Sequence, residues 1–247
     1  MMAGTGTLIN VTAIVVGTTL GLVIKGGLPQ RFQDIIMTAA GLVTTFIGLS
    51  GALAGLLTVE GNGLATQNTM LIIGALFIGA LLGEWINIEQ KLEYVGEWCR
   101  IKISSQSQGT STFVEGFVTS SLLFCVGAMA IVGALEDGLN HNFSTLFAKS
   151  VIDGVVAVVF AATLGIGVYL SAAAVFVYQG SITLLAGFIR PYLSEGVIGQ
   201  MSCVGSILIF ALGINMIFDK KLKIGNLLPA MFIPLIYQLI MHLLGIL

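Results

Sequence analysis

Charge is scarce in this 247-residue sequence, where Asp, Glu, Lys and Arg together make up 9% of the residues. A water-soluble domain covers its exterior with about a quarter charged residues, so that class is excluded. Hydrophobic residues supply 56% of the chain and its mean hydropathy is +1.02, a surface suited to lipid. The formal net charge of −2 comes without any basic block, which excludes nucleic acid as a partner and polybasic attachment to anionic lipid. Cysteine is also sparse. Cys99, Cys125 and Cys203 are scattered without Cys-x-x-Cys spacing, and two of them lie in apolar runs, where cysteine behaves as a small hydrophobe. No disulfide or metal framework follows, and the identity of any metal stays undetermined. HExxH, GxSxG and Walker sequences are missing as well, so no enzyme activity and no cofactor are expected.

What is present is a series of long apolar runs. In lipid only helices and closed barrels satisfy every backbone N–H and C=O. Barrel strands alternate apolar and polar residues over about ten positions, whereas these runs approach the roughly twenty residues of a spanning helix. The expected fold is all-α, a polytopic transmembrane helical bundle. Spans fall near residues 7–25, 35–57, 69–87, 113–135, 151–170, 172–189, 199–218 and 227–246. The first run has no positive residue ahead of it, so it reads as a retained helix and not a signal peptide.

Residues 151–189 form one apolar stretch that is either two helices or a single bent one. Positive charge arbitrates, because Lys and Arg near helix ends stay in the cytoplasm. Two helices put Lys25 and Arg31, then Lys91, Arg100 and Lys102, then Lys220, Lys221 and Lys223 on one face. That count favours about eight spans over seven, both termini outside, and a tight inner turn near Ser171.

Residues 88–112 form the one long polar connection. Ile88, Leu92, Val95 and Trp98 or Cys99 recur there at helical spacing, as in an amphipathic helix on the cytoplasmic interface. The division is then a first half at 1–103, a linker at 104–112 and a second half at 113–247 within one membrane domain. Leu-Gly recurs at Leu20-Gly21, Leu82-Gly83, Leu164-Gly165 and Leu212-Gly213, which fits weak internal repeats stacked as four hairpins. A fifth copy at Leu244-Gly245 falls outside that pattern, and about five such pairs arise by chance in a chain this rich in both residues.

Gly17/Gly21, Gly51/Gly55 and Gly79/Gly83 have the small-xxx-small spacing that lets helix backbones approach closely. Packing is the plain reading, and clearing a path or a hinge is the sharper one. Charge inside an apolar span points to function by default. Asp153 is the clearest case, and Lys149 one helical turn before it shares its face. Glu136, Asp137 and Asn140 close the preceding helix and supply hard oxygen ligands suited to protons or small cations. Each has a structural alternative: an ion pair at a helix end, or a solvated outer loop. Asn10, Gln179, Gln200, Asn215, Asn226 and Gln238 add amides that either tie helices together or line a hydrated path. Glu84 beside Trp85 reads as an interfacial charge, and Pro229 and Pro234 kink or cap the last helix.

Four segments carry a resemblance: Phe124–Gly138, Ala148–Gly154, Val177–Gly180 and Gly225–Ala230. Through them the whole chain resembles a prokaryotic membrane family of unknown function that includes YqgA and YdfK. The resemblance implies a multi-pass protein of the bacterial cell (inner) membrane and no reaction. It directs attention to Glu136, Asp137, Lys149, Asp153, Gln179 and Asn226, which sit in those segments.

The function expected is a transporter or channel-like permease for a small solute or ion, with carboxylates near the fourth and fifth helices as its site. The candidate residues are Glu136, Asp137, Asn140, Lys149, Asp153, Gln179, Asn215 and Asn226. Partners are the lipid bilayer, the solute or ion and, through the glycine faces, a homo-oligomer. The alternatives are a membrane scaffold without transport activity and, further off, a membrane-embedded enzyme.

Overall fold

A computed structural model describes residues 3–27, 29–61, 63–91, 94, 98, 110–125, 128–218 and 222–244. The chain is a helical membrane bundle with one short two-stranded hairpin. Its elements are α1 (Thr5–Gly27), α2 (Gln30–Leu56), a hairpin of β1 (Leu57–Glu60) and β2 (Gly63–Thr66), α3 (Thr69–Ile86), α4 (Thr110–Cys125), α5 (Ala128–Asn140), α6 (Ser144–Leu164), α7 (Val168–Leu184), α8 (Ala186–Ile189), α9 (Glu195–Phe218), a 3₁₀ run Ile224–Phe232 and α10 (Ile233–Leu243). The β1–β2 hairpin, with Leu57 opposite Thr66, was not expected from the sequence. Most of the amphipathic segment and of the linker lies outside the described residues, but α4 already begins at Thr110.

Among the described residues six segments are long and apolar enough to cross a membrane, or seven if the bent pair Phe113–Cys125 and Met129–Asn140 is one span. One of the six, Ser144–Leu184, has 41 residues. At about 1.5 Å per residue it is twice the length that a hydrocarbon core of about 30 Å accepts. Its contacts with α1 show that it doubles back. Asn10 bonds both Asp153 on α6 and Gln179 on α7. Further along α1, Gly21 packs on Val158 of α6, while Thr19 meets Tyr169 of α7. The partners on α6 therefore rise with α1 and those on α7 fall. Among the described residues the chain traverses the bundle eight times in alternating directions.

The reversal lies at Gly165–Gly167, earlier than the Ser171 the sequence suggested. Ser171 is buried inside α7 and its hydroxyl donates to the Val168 carbonyl. Gly165 has φ +82° and ψ −152°, a conformation essentially confined to glycine. Gly167 presses its backbone on the Phe113 carbonyl, with no room for a Cβ.

Nor do the helices stack as four consecutive hairpins. α1 lies along α6 and α7, α2 along α9, and α3 along the 3₁₀ run. Gly17 faces Gly154, Gly41 faces Met216 and Ile217, Gly55 faces Cys203, and Gly79 and Gly83 face Ala230 and Asn226. The small-residue faces are thus occupied within the chain. Three of these pairings are antiparallel: α1 with α7, α2 with α9, and α3 with the last traverse. Within the second pair, Met37-Thr38, Gly41 and Phe46 recur at the same spacing as Met201-Ser202, Gly205 and Phe210.

The two ends differ in charge. Among the described Lys and Arg residues, Lys25, Arg31, Lys91 and Lys223 lie at one end, Arg190 at the other, and Lys149 inside.

Candidate functional site

Polar groups deep in this apolar bundle collect where α1, α6 and α7 meet. Lys149 and Asp153 sit one turn apart on α6, and the ammonium donates to both carboxylate oxygens at 2.7 and 2.5 Å. Their side chains are only 7% and 6% exposed. From α1, the Asn10 amide donates to Asp153 Oδ2 at 3.0 Å and to Gln179 Oε1 at 3.3 Å. Asn10 and Gln179 are fully buried.

The bonding fixes how the two amides point. Asn10 must present its N–H₂ to the carboxylate, and Gln179 must then present its oxygen to Asn10. Among the described residues, that leaves Asn10 Oδ1 and Gln179 Nε2 buried without a hydrogen-bond partner. An unmet acceptor and an unmet donor beside a buried ion pair are costly to keep, because each buried polar group left unsatisfied costs about 1–3 kcal/mol. Oδ1 of Asn10 can only accept and Nε2 of Gln179 can only donate.

Apolar side chains close the site toward the basic end. Ile14, Ala157, Phe160, Leu164, Val168 and Val175 on these helices form one buried cluster with Phe124 of α4, the Phe124 and Phe160 rings lying 6.5 Å apart. Toward the other end, Asp137 accepts the Gly6 N–H at 3.0 Å. A carboxylate at the first turn of α1 meets the positive end of the helix dipole. Thr183 donates to the Ala134 carbonyl, and Leu146 is fully buried against Gly6. The polar cluster is occluded from both ends.

A second network ties the basic end together. Glu84 accepts from Lys223 at 2.8 Å and from Asn226 at 2.5 Å. Asn226 accepts the Glu89 N–H at 2.7 Å, and Glu89 accepts the Gly225 N–H at 2.7 Å. The hydrogen bond with Glu84 holds Lys223 above the ordinary lysine range, so the lysine side of this link persists at neutral pH and is lost as pH rises past that range. Asn226 is buried and joins three segments. Asn226→Ala is expected to lower stability by about 1–3 kcal/mol, read as an earlier thermal transition in detergent, whereas Lys223→Ala, on an exposed pair, leaves that transition nearly in place.

The model of a family described as a protein of unknown function, DUF554, matches residues 5–239. The chain belongs to this family. It is similar to the uncharacterised membrane protein YdfK of Bacillus subtilis (strain 168), 31% identical over 241 residues and 98% of each chain. It is also similar to the uncharacterised protein YqgA of Escherichia coli (strain K12), 27% identical over 232 residues, or 93% of this chain and 94% of that one. No solved structure matches. DUF554 membership agrees with the resemblance read from the sequence.

In this DUF554 member the eight residues singled out by sequence separate into groups. Lys149, Asp153 and Gln179 come together. Asp137 is buried one turn of α1 away, and Glu136 accepts from Thr145 at 2.7 Å; the two adjacent carboxylates thus serve different partners. Asn140 is exposed. Asn215 and Asn226 lie at the opposite end, where Asn215 bonds the backbone of Leu222 in both directions. Asn10 belongs to the site but reads in the sequence as one amide among six. Its signal was a lone polar side chain within the first apolar run, whose partners only helix packing reveals.

Proposed function

We propose that the protein is a transporter or channel-like permease for a small solute or ion, with Asn10, Lys149, Asp153 and Gln179 as its site. One observation carries the reading: an ion pair with two unmet amide valences, buried inside a membrane bundle. Removing two charges from water costs more than their attraction commonly returns, and intramembrane ionisable residues mark ion and substrate pathways. The scaffold around the pair supports the same reading. The traverses α1, α2 and α3 run opposite to α7, α9 and the last traverse and pair with them in that order, the pattern of an inverted repeat, and α4 and α5 lie at 60° to each other. Transporters place their sites at such repeat interfaces.

Proteoliposome currents on a solid-supported membrane test it, with jumps of proton, sodium, potassium, divalent cations and small organic ions. A current is expected, and Asp153→Asn abolishes it. Silence of folded wild-type protein across the panel, with no solute uptake in a parallel flux assay, would sink the proposal. The basic end is assigned to the cytoplasm of a bacterial inner membrane on its Lys and Arg content. A cysteine placed at Asn142 should therefore react with an impermeant thiol reagent on whole cells, and one at Arg31 should not; the reverse pattern inverts the assignment.

A further inference from the structure

Across α7 from Gln179 lies a cavity of about 760 Å³, lined by Phe117, Ile131, Ala174, Tyr178, Met201 and Phe232 among others. A second cavity of about 190 Å³ shares Phe117, Cys125, Tyr178 and Phe232 with it, so the two are adjacent. Small side chains on α7, Ala173 and Ala174, leave the space. We propose that this cavity binds one acyl chain of a bilayer phospholipid, which enters sideways between α7 and the last traverse.

The chemistry of the lining selects the occupant. Water needs two to four polar partners to settle in a cavity. Here the Ser181 hydroxyl is already spent on the Tyr178 carbonyl, and the walls are otherwise nearly all apolar. An empty space of this size would forfeit dispersion contacts along its whole lining. Its volume is that of a ligand pocket, about 300–1,000 Å³.

The mouth is continuous with the lipid-facing surface of the bundle. Val177 on the rim is 67% exposed, and Phe176, Leu184 and Phe188 on the neighbouring surface are exposed too. In a bilayer that surface is covered by hydrocarbon, so the chains beside the mouth match the walls behind it. Cys125, the last residue of α4, is part of the wall, whereas Asn10, Lys149, Asp153 and Gln179 are not, so the cavity and the polar site are separate. The inference stands whether or not the protein transports.

The test is photolabelling of the full-length protein in nanodiscs made with a phospholipid bearing a diazirine at its acyl terminus, followed by peptide mapping. Ile131 and Met201 line the cavity yet are only 2% and 4% exposed, so lipid on the outer surface cannot reach them. Adducts there are expected to exceed those at Ile14 and Val204, equally buried but outside the cavity, by several-fold. Ala174→Phe is expected to remove the excess, and Ala173→Phe repeats the test should the first variant fail to fold. Adducts confined to exposed residues, adducts at Ile131 and Met201 that persist in a folded cavity-filled variant, or links between two copies of the chain in place of lipid adducts would each overturn the proposal.

Discussion

Lys149→Met is expected to destabilise the protein by about 3–5 kcal/mol, the cost of leaving a buried carboxylate without its counter-ion. Asp153 would keep only the Asn10 amide, a neutral donor at 3.0 Å, among side chains that exclude water. The double variant Lys149→Met, Asp153→Leu should recover most of that loss, since a buried ion pair replaced by apolar groups of similar volume is commonly neutral or stabilising. Thermal unfolding of the wild type, both single variants and the double variant in one detergent completes the cycle and isolates the coupling. A single variant as stable as the wild type would mean the pair is not buried as the structure has it. The same four proteins separate stability from function. If the double variant folds well and still carries the wild-type current, Lys149 and Asp153 are scaffold and the transport site lies elsewhere. If it folds well and is silent, the pair is retained for what it does and not for the fold.

Much of the architecture was legible because it is written along one dimension. The apolar runs, their lengths and the i, i+4 spacing of Lys149 and Asp153 need no knowledge of neighbours, and the ion pair forms where that spacing puts it. The site itself needed three helices brought together. Asn10 and Gln179 stand far apart in sequence and become a unit only because α1 runs parallel to α6 and antiparallel to α7. Asn215 and Asn226 entered the same candidate set because residue type was visible and depth was not. The reversal between α6 and α7 was placed six residues late because a polar Ser171 resembles a turn, whereas the backbone required a glycine at φ +82°. The glycine pairs were read correctly as places of close approach. Their partners were invisible, and those partners bear on the scaffold alternative: Gly79 and Gly83, the positions it would have used for assembly, already lie against the backbone of the last traverse.

Two glycines of α3 should therefore respond to substitution with opposite signs. A Cβ at Gly83 would run into the carbonyl of Asn226, and among the described residues nothing lies within 4 Å of one at Gly74. Gly74→Ala is expected to stabilise by about 0.5–1 kcal/mol, because alanine loses less backbone freedom in a helix than glycine does. Gly83→Ala is expected to destabilise by at least the ~1–3 kcal/mol of ordinary overpacking, because a side-chain rotamer cannot relieve a clash with backbone. Gly83→Leu goes further. It forces α3 away from Ile224–Phe232 and breaks the hydrogen bonds that Asn226 makes with Glu84 and Glu89, so monodisperse protein is expected to be lost on size-exclusion in detergent. If Gly74→Leu fails in the same way, the defect is bulk on α3 in general and the contact with Asn226 is not its cause. If Gly83→Leu alone fails, and fails as dispersed monomer at low concentration, the glycine seam holds the chain to itself. Assembly with another copy would then have to use a different face.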